Sequence, residues 1–350
     1  MRKFYLSLSA LLLALSASAQ STLPQPMVGK ATNISSDGFT ANWKPVPKAD
    51  GYCVFVYTQT PVMADGEQVI NEETFSGITS GNMNNPLGGD EDYVDLAAKG
   101  YSDTYGWSAY ALPTFVKGMV AGLVYSPYLD LRANGGKYKI ILTTLSTNGD
   151  IIRVESHGRG EKVVREYKTR IPGGNQGTSI DTLEFDNGSK DLFFSVINMT
   201  ATPGRADYLD GVKVIQNMRA GEVINSMITS EEAIDAWDDT AMDSVKSCRI
   251  SKLTYAYGAK TLFYDMYATR HDYSRPNGKV PYTAIYSPYS EMVKVNLDDK
   301  SSEIVDGIEH ISSDVRRAHR MQGVYNLSGQ RVDENYRGII IKNGKKIINQ

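Results

Sequence analysis

The sequence is poor in cysteine. Its 350 residues include two cysteines, Cys53 and Cys248. A disulfide framework is thereby excluded, since one bond at most can form, and stability must come from burial of apolar surface. Strand alternation places Cys53 on the face opposite to Tyr52 and Val54, whereas Cys248 is expected to face inward together with Ile250. We therefore predict two free thiols.

Long apolar runs and an excess of charge of one sign are also lacking. After the N-terminal stretch no segment reaches the roughly 20 apolar residues that a transmembrane helix needs, so no membrane span is predicted. Lys and Arg number 37 and Asp and Glu 40, which gives a formal net charge of −3, and the charges are interspersed. We therefore predict no nucleic-acid partner, because nucleic acid requires a basic surface.

Motifs of hydrolases and metalloenzymes are missing as well. None of His157, His271, His310 and His319 lies in an HExxH pair or another metal-ligand spacing. The sequence has no G-x-S-x-G elbow, no Cys/His nucleophile arrangement and no phosphate-binding loop. Its acidic pairs are adjacent, and neighbouring strand residues face opposite ways, unlike the two carboxylates of a glycosidase. We predict a non-catalytic protein; a polysaccharide-acting enzyme has the least support.

The N-terminus has the pattern of a secretory signal. Two basic residues precede the apolar run Phe4–Leu15, and Ala17-Ser18-Ala19 is an A-x-A cleavage site. We predict that residues 1–19 are a signal peptide and that the mature chain begins at Gln20. The expected location is secreted or on the outer surface of the cell, with the periplasm as the alternative.

The sequence is rich in strand patterning. Its 22 tyrosines exceed its 9 phenylalanines, and 31 glycines are present, which favours strands and turns. Gly38–Trp43 and Gly51–Tyr57 predict two neighbouring strands. Strands to pair with them occur only near Ser247–Leu253 and Tyr282–Val295. Because an open sheet edge leaves backbone groups unpaired, we predict one β-sandwich interrupted by a second β-domain.

The outer strands resemble those of a fibronectin type III domain. In that family the second strand carries a core Trp, here Trp43, and the third opens with a Tyr-x-Val pattern, here Tyr52-Cys53-Val54. The resemblance implies a sandwich that is split between residues 20–65 and 219–297. In its second part, the T-x-x-E capping box Thr229–Glu232 predicts a short helix.

Residues 66–218 predict many short strands separated by Gly, Asn and Asp turns, which is typical of a sandwich or jelly roll. Four motifs follow one another there: Glu73-x-Phe75, Gly106-Trp107, Ser126–Leu131 and Tyr208–Val212. Their order resembles the jelly-roll modules of bacterial surface adhesins, among them cleaved-adhesin and galactose-binding-like domains. The resemblance implies adhesion through this module, to a glycan or to a host or matrix protein. The alternative is a structural scaffold or spacer without a small ligand.

The C-terminal part predicts a linker and a tail. Residues 298–321 are charged and without strand patterning, as in a linker. In residues 322–350, Gly323–Val332 and Arg337–Ile348 predict two strand pairs, the second around Asn343-Gly344. This tail resembles the C-terminal sorting domains of proteins exported by the Bacteroidetes type IX system, and the resemblance implies export machinery as a partner. The predicted fold is all-β: a fibronectin type III-like sandwich interrupted by a jelly roll, plus a short β-hairpin tail.

Candidate ligand residues come from the aromatic side chains, since exposed rings stack on the apolar faces of sugars. The densest aromatic cluster consists of Tyr101, Tyr105, Trp107 and Tyr110. Trp107 fits a core position of the jelly roll, so Tyr101 and Tyr105, which are expected in a loop, are the better ligand candidates. Tyr273 and Arg275 form a second candidate site in another loop.

The sequence requires no cofactor, and a structural Ca²⁺ is the one ion that the jelly-roll resemblance implies. Such an ion is held by loop carboxylates and backbone carbonyls. Asp90, Asp92 and Asp210 are the acids expected in loops. The Asp/Gly-rich calcium loop of cleaved-adhesin modules is missing, which favours surface loops without an ion.

Three positions fit the short D-S/T-aliphatic pattern of O-glycosylation in Bacteroidetes. They are Thr182, Thr240 and Ser244. The pair in the Asp239–Val245 loop is the better candidate, because that loop is expected to be exposed.

The signal peptide predicts a defined mature N-terminus. When the full chain is expressed in a Gram-negative host, the intact mass of the exported protein should correspond to a chain that begins at Gln20. Ala19→Arg places a large cation at the small-residue cleavage position and should leave the precursor uncut. An exported wild-type protein that retains residues 1–19 would contradict the prediction.

Overall fold

The computed structural model describes residues 23–79, 90–102, 104–112, 123–159, 162–200, 208–234, 245–251, 253–274, 283–305, 324–326, 331–332, 338–342 and 345–349. The predicted signal peptide, Arg275, Thr240 and Ser244 lie outside these residues. Among the residues that are described, no helix is long and apolar enough to cross a membrane.

Almost all regular structure in these ranges is β. The strands are β1 (Met27–Ser35), β2 (Gly38–Lys44), β3 (Gly51–Pro61), β4 (Gly66–Glu73), β5 (Asp90–Asp95), β6 (Ser108–Leu112), β7 (Leu123–Tyr125), β8 (Tyr138–Thr147), β9 (Ile151–His157), β10 (Val163–Lys168), β11 (Gln176–Phe185), β12 (Phe193–Asn198), β13 (Tyr208–Met218), β14 (Val223–Ile234), β15 (Ser247–Ser251), β16 (Thr261–Asp272), β17 (Thr283–Tyr286), β18 (Met292–Asn296), β19 (Ser301–Val305), β20 (Val324–Asn326), β21 (Arg331–Val332), β22 (Gly338–Lys342) and β23 (Lys345–Asn349). Two short helical turns accompany them, α1 (Ala133–Gly136) and the 3₁₀ turn Thr254–Ala256.

The predicted interruption of one sandwich by another is confirmed. The outer sandwich consists of a sheet in the order β1-β2-β15 and a sheet in the order β14-β3-β16-β18-β19, with β17 beside β16. The chain leaves it at Pro61 and returns at Val223, and these two residues are direct partners in the β3–β14 ladder. Val62 N–H donates to the Glu222 carbonyl at 2.8 Å, which closes the joint behind the insertion.

The core of the outer sandwich has the alternation expected from the sequence. Tyr52, Val54 and Val56 of β3 face a buried cluster that also contains Phe39 and Trp43 of β2. The Trp43 and Tyr52 rings lie 5.1 Å apart. Burial of such rings is the main source of stability in a sandwich without disulfides.

The inserted sandwich consists of β4–β13. Its six-stranded sheet has the order β10-β9-β12-β7-β6-β5 and its four-stranded sheet the order β11-β8-β13-β4. The core between the sheets contains Phe75, Trp107 and Phe194, and both phenylalanine rings contact the Trp107 ring edge to face. The tail forms a separate sheet in the order β21-β20-β22-β23, in which β22 and β23 are the hairpin predicted around Asn343-Gly344.

Two local predictions were wrong. Thr229–Glu232, predicted to start a helix, lies within β14, because residues 223–234 pair along β3 and sheet pairing overrides the local capping signal. Ser301–Val305, within the predicted linker, forms β19 and pairs with β18 from Val305↔Met292 to Ser301↔Asn296. Its two apolar residues, Ile304 and Val305, are adjacent, so no hydrophobic alternation indicated a strand.

The second face of β3 packs against the inserted sandwich. Cys53, Phe55 and Tyr57 alternate with the core residues and join Phe263 and Tyr267 of β16 in a separate buried cluster. Tyr128 from the inserted sandwich meets Phe55 edge to face, with ring centroids 5.4 Å apart. Both faces of Gly51–Tyr57 in β3 are therefore covered, and Tyr128 of the insertion covers part of the second face.

Two cations of the insertion complete this contact. Arg159 follows β9 and lies over the rings of Tyr267 and Tyr289, with Cζ 4.2 and 4.3 Å from the ring centroids. Its Nε donates to Asp191 at 2.8 Å. Stacking of a guanidinium on tyrosine faces is favourable by about 0.5–2 kcal/mol per contact, depending on desolvation.

Lys190 is the second cation of this contact. It precedes β12 and pairs with Asp265 of β16, whose side chain is 1% exposed, and it lies 4.3 Å from the centroid of the Tyr289 ring. Tyr57 O–H also donates to Asp265, at 2.6 Å. Burial and the Asp265 charge raise the pKa of Tyr57 well above its ordinary value, so the hydroxyl remains a donor. We call the contacts of Arg159 and Lys190 with the outer sandwich the clamp.

Loss of the Lys190 charge should destabilise the protein strongly. Lys190→Ala leaves the buried Asp265 carboxylate without its cation, which is expected to lower the free energy of unfolding by about 3 kcal/mol. The matched control is Lys213→Ala, because Lys213 pairs with Glu72 across a surface where the side chains are 39% and 47% exposed; its effect should stay below about 0.5 kcal/mol. Urea unfolding measures both values. Equal effects of the two variants would contradict the role given to the clamp.

Neither described cysteine forms a disulfide, as predicted: Cys53 is buried and Cys248 half-buried. Burial raises the pKa of Cys248 to about 11, so its reactive thiolate is scarce at neutral pH. Iodoacetamide should therefore label the native protein slowly at pH 7.4 and faster as the pH rises toward that pKa, whereas both thiols should react promptly after denaturation. Rapid labelling of Cys248 in the native protein at pH 7.4 would contradict this.

Candidate binding site

A cleft of about 470 Å³ lies where the inserted sandwich meets β14 of the outer sandwich. Its lining is mostly aromatic and hydroxyl-bearing: Asp95, Tyr105, Gly106, Trp107, Ser108, Tyr125, Ser126, Pro127, Tyr128, Phe193 and Ser230. A cleft of a few hundred Å³ with apolar walls and a few polar groups is the usual form of a small-ligand site. We call it the junction cleft.

Two of its rings come from the outward face of the six-stranded sheet. On β7, Val124 is buried in the core, so its neighbour Tyr125 points outward; on β12, Phe194 is buried and Phe193 points outward. The strands are paired, and the Tyr125 and Phe193 centroids lie 6.3 Å apart. Tyr128 meets Phe193 edge to face at 5.6 Å.

Tyr105 closes the cleft from the side of the junction. Its hydroxyl accepts a hydrogen bond from Ser230 N–H of β14 at 3.1 Å. The turn that presents Tyr105 requires glycine at the next position: Gly106 has φ +89°, and a Cβ there would come within 2.7 Å of the Pro127 side chain. The tyrosine predicted as a ligand candidate thus lies on a turn in the cleft, anchored to the outer sandwich.

Of the other predicted aromatic candidates whose side chains are described, Trp107 also lines the cleft, whereas Tyr101 and Tyr273 do not. The Trp107 side chain is fully buried in the core of the inserted sandwich, and Tyr101 packs against the same core. Tyr110 lies in β6. Tyr273 is 62% exposed just beyond β16, with its ring 6.2 Å from that of His271.

Sequence reasoning missed Tyr125, Tyr128 and Phe193. For Phe193 a signal was available, since Phe194 fits the core and strand alternation then turns Phe193 outward. The same alternation around Val124 turns Tyr125 outward. No sequence signal places these rings and Tyr128 beside Tyr105, because that depends on the packing of the insertion against β14.

His157 lies next to the cleft on the same sheet, close to a serine and a glutamate. The His157 ring stacks on Phe193 with centroids 4.7 Å apart, and burial lowers the pKa of His157, which favours the neutral ring. Its Nε2 lies 3.4 Å from Ser195 Oγ and 3.7 Å from a Glu155 oxygen. A Ser-His-acid relay uses different ring nitrogens for the serine and the acid, and here both neighbours approach the same nitrogen.

The three acids considered for Ca²⁺ do not lie in loops. Asp90 and Asp92 are in β5 and Asp210 is in β13, so the predicted loop positions were wrong. β5 and β13 belong to different sheets of the inserted sandwich. Among the described residues, no group of three or more His, Cys, Asp or Glu side chains is placed to hold a metal ion.

Thr182, a candidate for O-glycosylation, lies in β11, an edge strand of the four-stranded sheet. Its side chain is exposed, between the buried Leu183 and the half-buried Asp181. The threonine is therefore on the surface, but on a strand and not on a loop.

A larger cleft of about 510 Å³ lies along the four-stranded sheet. Its aromatic rings, Tyr138 and Phe185, stack on each other at 5.2 Å and are buried in the core. Charged side chains of both signs line it, and one of its cations, Lys139, is paired with Glu67 at 2.9 Å. Because its rings are buried, it lacks the half-exposed aromatic surface of the junction cleft.

Comparisons with known proteins give no family assignment. No protein-family model matches the chain, and no curated protein does. Among solved structures, the chain is similar to an exo-β-1,3-galactanase from Phanerochaete chrysosporium, solved with galactose: identity is 13%, the TM-score is 0.21, and the match covers 53% of this chain and 42% of that one. The match thus spans less than half of that enzyme chain, and a likeness this low supports no conclusion about function.

Proposed function

We propose that this protein is a secreted, non-catalytic binding protein that holds a glycan in the junction cleft. The observation that supports this best is the convergence of Tyr105, Tyr125 and Phe193, all half-buried, on one cleft beside serine hydroxyls. Such rings offer flat apolar surfaces for the C–H faces of a sugar, while hydroxyls bind its polar edges.

The composition of the cleft favours binding over hydrolysis. Asp95 is the one carboxylate among the residues that line it, and its Oδ1 accepts hydrogen bonds from the Ala97 and Ala98 N–H groups. Hydrolysis of a glycosidic bond ordinarily uses two carboxylates on either side of the bond. We therefore propose that the ligand leaves the cleft unchanged.

The location and partners belong to the same proposal. The predicted signal peptide, the resemblance of the insertion to adhesin jelly rolls and the resemblance of the tail to sorting domains are consistent with a protein that is exported to the surface of a Bacteroidetes cell. There a bound glycan, or a host or matrix protein bearing it, would provide attachment.

A structural scaffold is the second candidate, and the clamp is the observation that favours it. Arg159 and Lys190 hold the two sandwiches against each other over a buried face, as a rigid spacer would require. A scaffold would need no ligand in the junction cleft.

A glycan array separates the two functions. The wild-type protein should bind a defined set of glycans, and Tyr125→Ala should weaken that binding about tenfold, since a stacked ring contributes about 0.5–1.5 kcal/mol beyond the area it buries. Tyr125→Phe keeps the ring and should bind nearly normally. Tyr273→Ala, which removes an exposed ring outside the cleft, tests the second predicted site in the same experiment. If the folded wild-type protein binds no glycan on the array, glycan binding is contradicted and the structural scaffold is the function that the clamp supports.

A further inference from the structure

A row of tyrosine rings continues from the junction cleft onto the outer sandwich. Tyr255 and Tyr257 lie at the 3₁₀ turn Thr254–Ala256, which precedes β16. The Tyr105 and Tyr255 centroids are 5.8 Å apart and the Tyr255 and Tyr257 centroids 6.2 Å apart. The spacing between successive rings is comparable to the length of one sugar residue in a chain.

The last residue of this row has an unfavourable backbone conformation. Tyr257 has φ +49° and ψ 35°, in the left-handed region that bulky residues avoid. Its side chain is 69% exposed, so burial of the ring does not compensate for the strain. Strain at an exposed aromatic residue is the kind of local conflict found at functional positions.

The charge of the cleft limits the class of ligand. The described residues that line it include Asp95 and no Lys or Arg. Sulfated or uronic-acid glycans require cations as partners, whereas serine hydroxyls and a carboxylate are suited to neutral sugar hydroxyls.

We propose that Tyr255 and Tyr257 form an extension subsite of the junction cleft, and that the ligand is a neutral glycan chain of several sugar residues rather than a single terminal sugar. This inference rests on the proposed function of the cleft. The chain would run across the joint, from Phe193 and Tyr125 on the insertion past Tyr105 to the two tyrosines of the outer sandwich.

The test begins with affinity electrophoresis through native gels that contain soluble xylan, β-glucan, galactan, mannan, polygalacturonate or heparin. At least one neutral polymer should retard the wild-type protein, and the two polyanions should not. Calorimetry with the hexasaccharide and the disaccharide of the retarding polymer then measures the dependence on chain length. The hexasaccharide should bind at least about tenfold more tightly, because additional rings contribute only to the longer ligand.

Three variants locate the extension subsite. Tyr255→Ala and Tyr257→Asn should each weaken hexasaccharide binding about tenfold and leave disaccharide binding unchanged. Asn tolerates the left-handed conformation better than Tyr, so Tyr257→Asn should not lower Tm. Ile180→Ala is the matched control, because Ile180 is also 69% exposed but lies in β11 of the four-stranded sheet; it should change neither affinity.

The possible failures are distinguishable. If both tyrosine variants bind the hexasaccharide as tightly as the wild-type protein does, the extension subsite is overturned. The junction cleft alone would then be the binding site. Retardation by the polyanions alone would overturn the neutral class of ligand. If no polymer retards the folded wild-type protein, the proposed function fails and the inference fails with it.

Discussion

The clamp between the two sandwiches is the contact on which the rest of the structure depends. Arg159 stacks on tyrosine rings of the outer sandwich. Lys190 pairs with the buried Asp265, which also accepts a hydrogen bond from Tyr57. An ion pair with so little access to water adds little net stability compared with apolar packing, but it fixes geometry, because neither charge tolerates separation from its partner. The insertion is thereby held in one position on the outer sandwich.

The junction cleft follows from that position. Tyr105 reaches Ser230 and Tyr128 reaches Phe55 only when the insertion sits against the β14–β3 pair. One wall of the cleft therefore belongs to the insertion and the other to the outer sandwich. The outer sandwich therefore contributes to the proposed site as well as supporting the insertion. Its contributions are Ser230 and the 3₁₀ turn that carries Tyr255 and Tyr257.

Local patterns predicted the fold well and the site only in part. The alternation of β3 and the turn around Asn343-Gly344 are set by neighbouring residues, so the sequence was sufficient for them. The helix predicted from Thr229–Glu232 was wrong, because pairing with β3 outweighs a local helix signal. That Phe55 is buried could not be predicted, because its cover comes from Tyr128, which is distant in the sequence. The same holds for the junction cleft, which combines segments that no spacing connects.

The clamp should join the two sandwiches into one cooperative unit of unfolding. Among the described residues each core contains one tryptophan, Trp43 in the outer sandwich and Trp107 in the insertion. In the Trp237→Phe background, a variant that keeps one of these two reports the unfolding of one core by fluorescence in urea, and circular dichroism of the same variant reports the unfolding of all strands. If the clamp couples the two cores, the two probes should give coincident transitions. Two well-separated transitions would show that each sandwich unfolds by itself and that the clamp does not couple them.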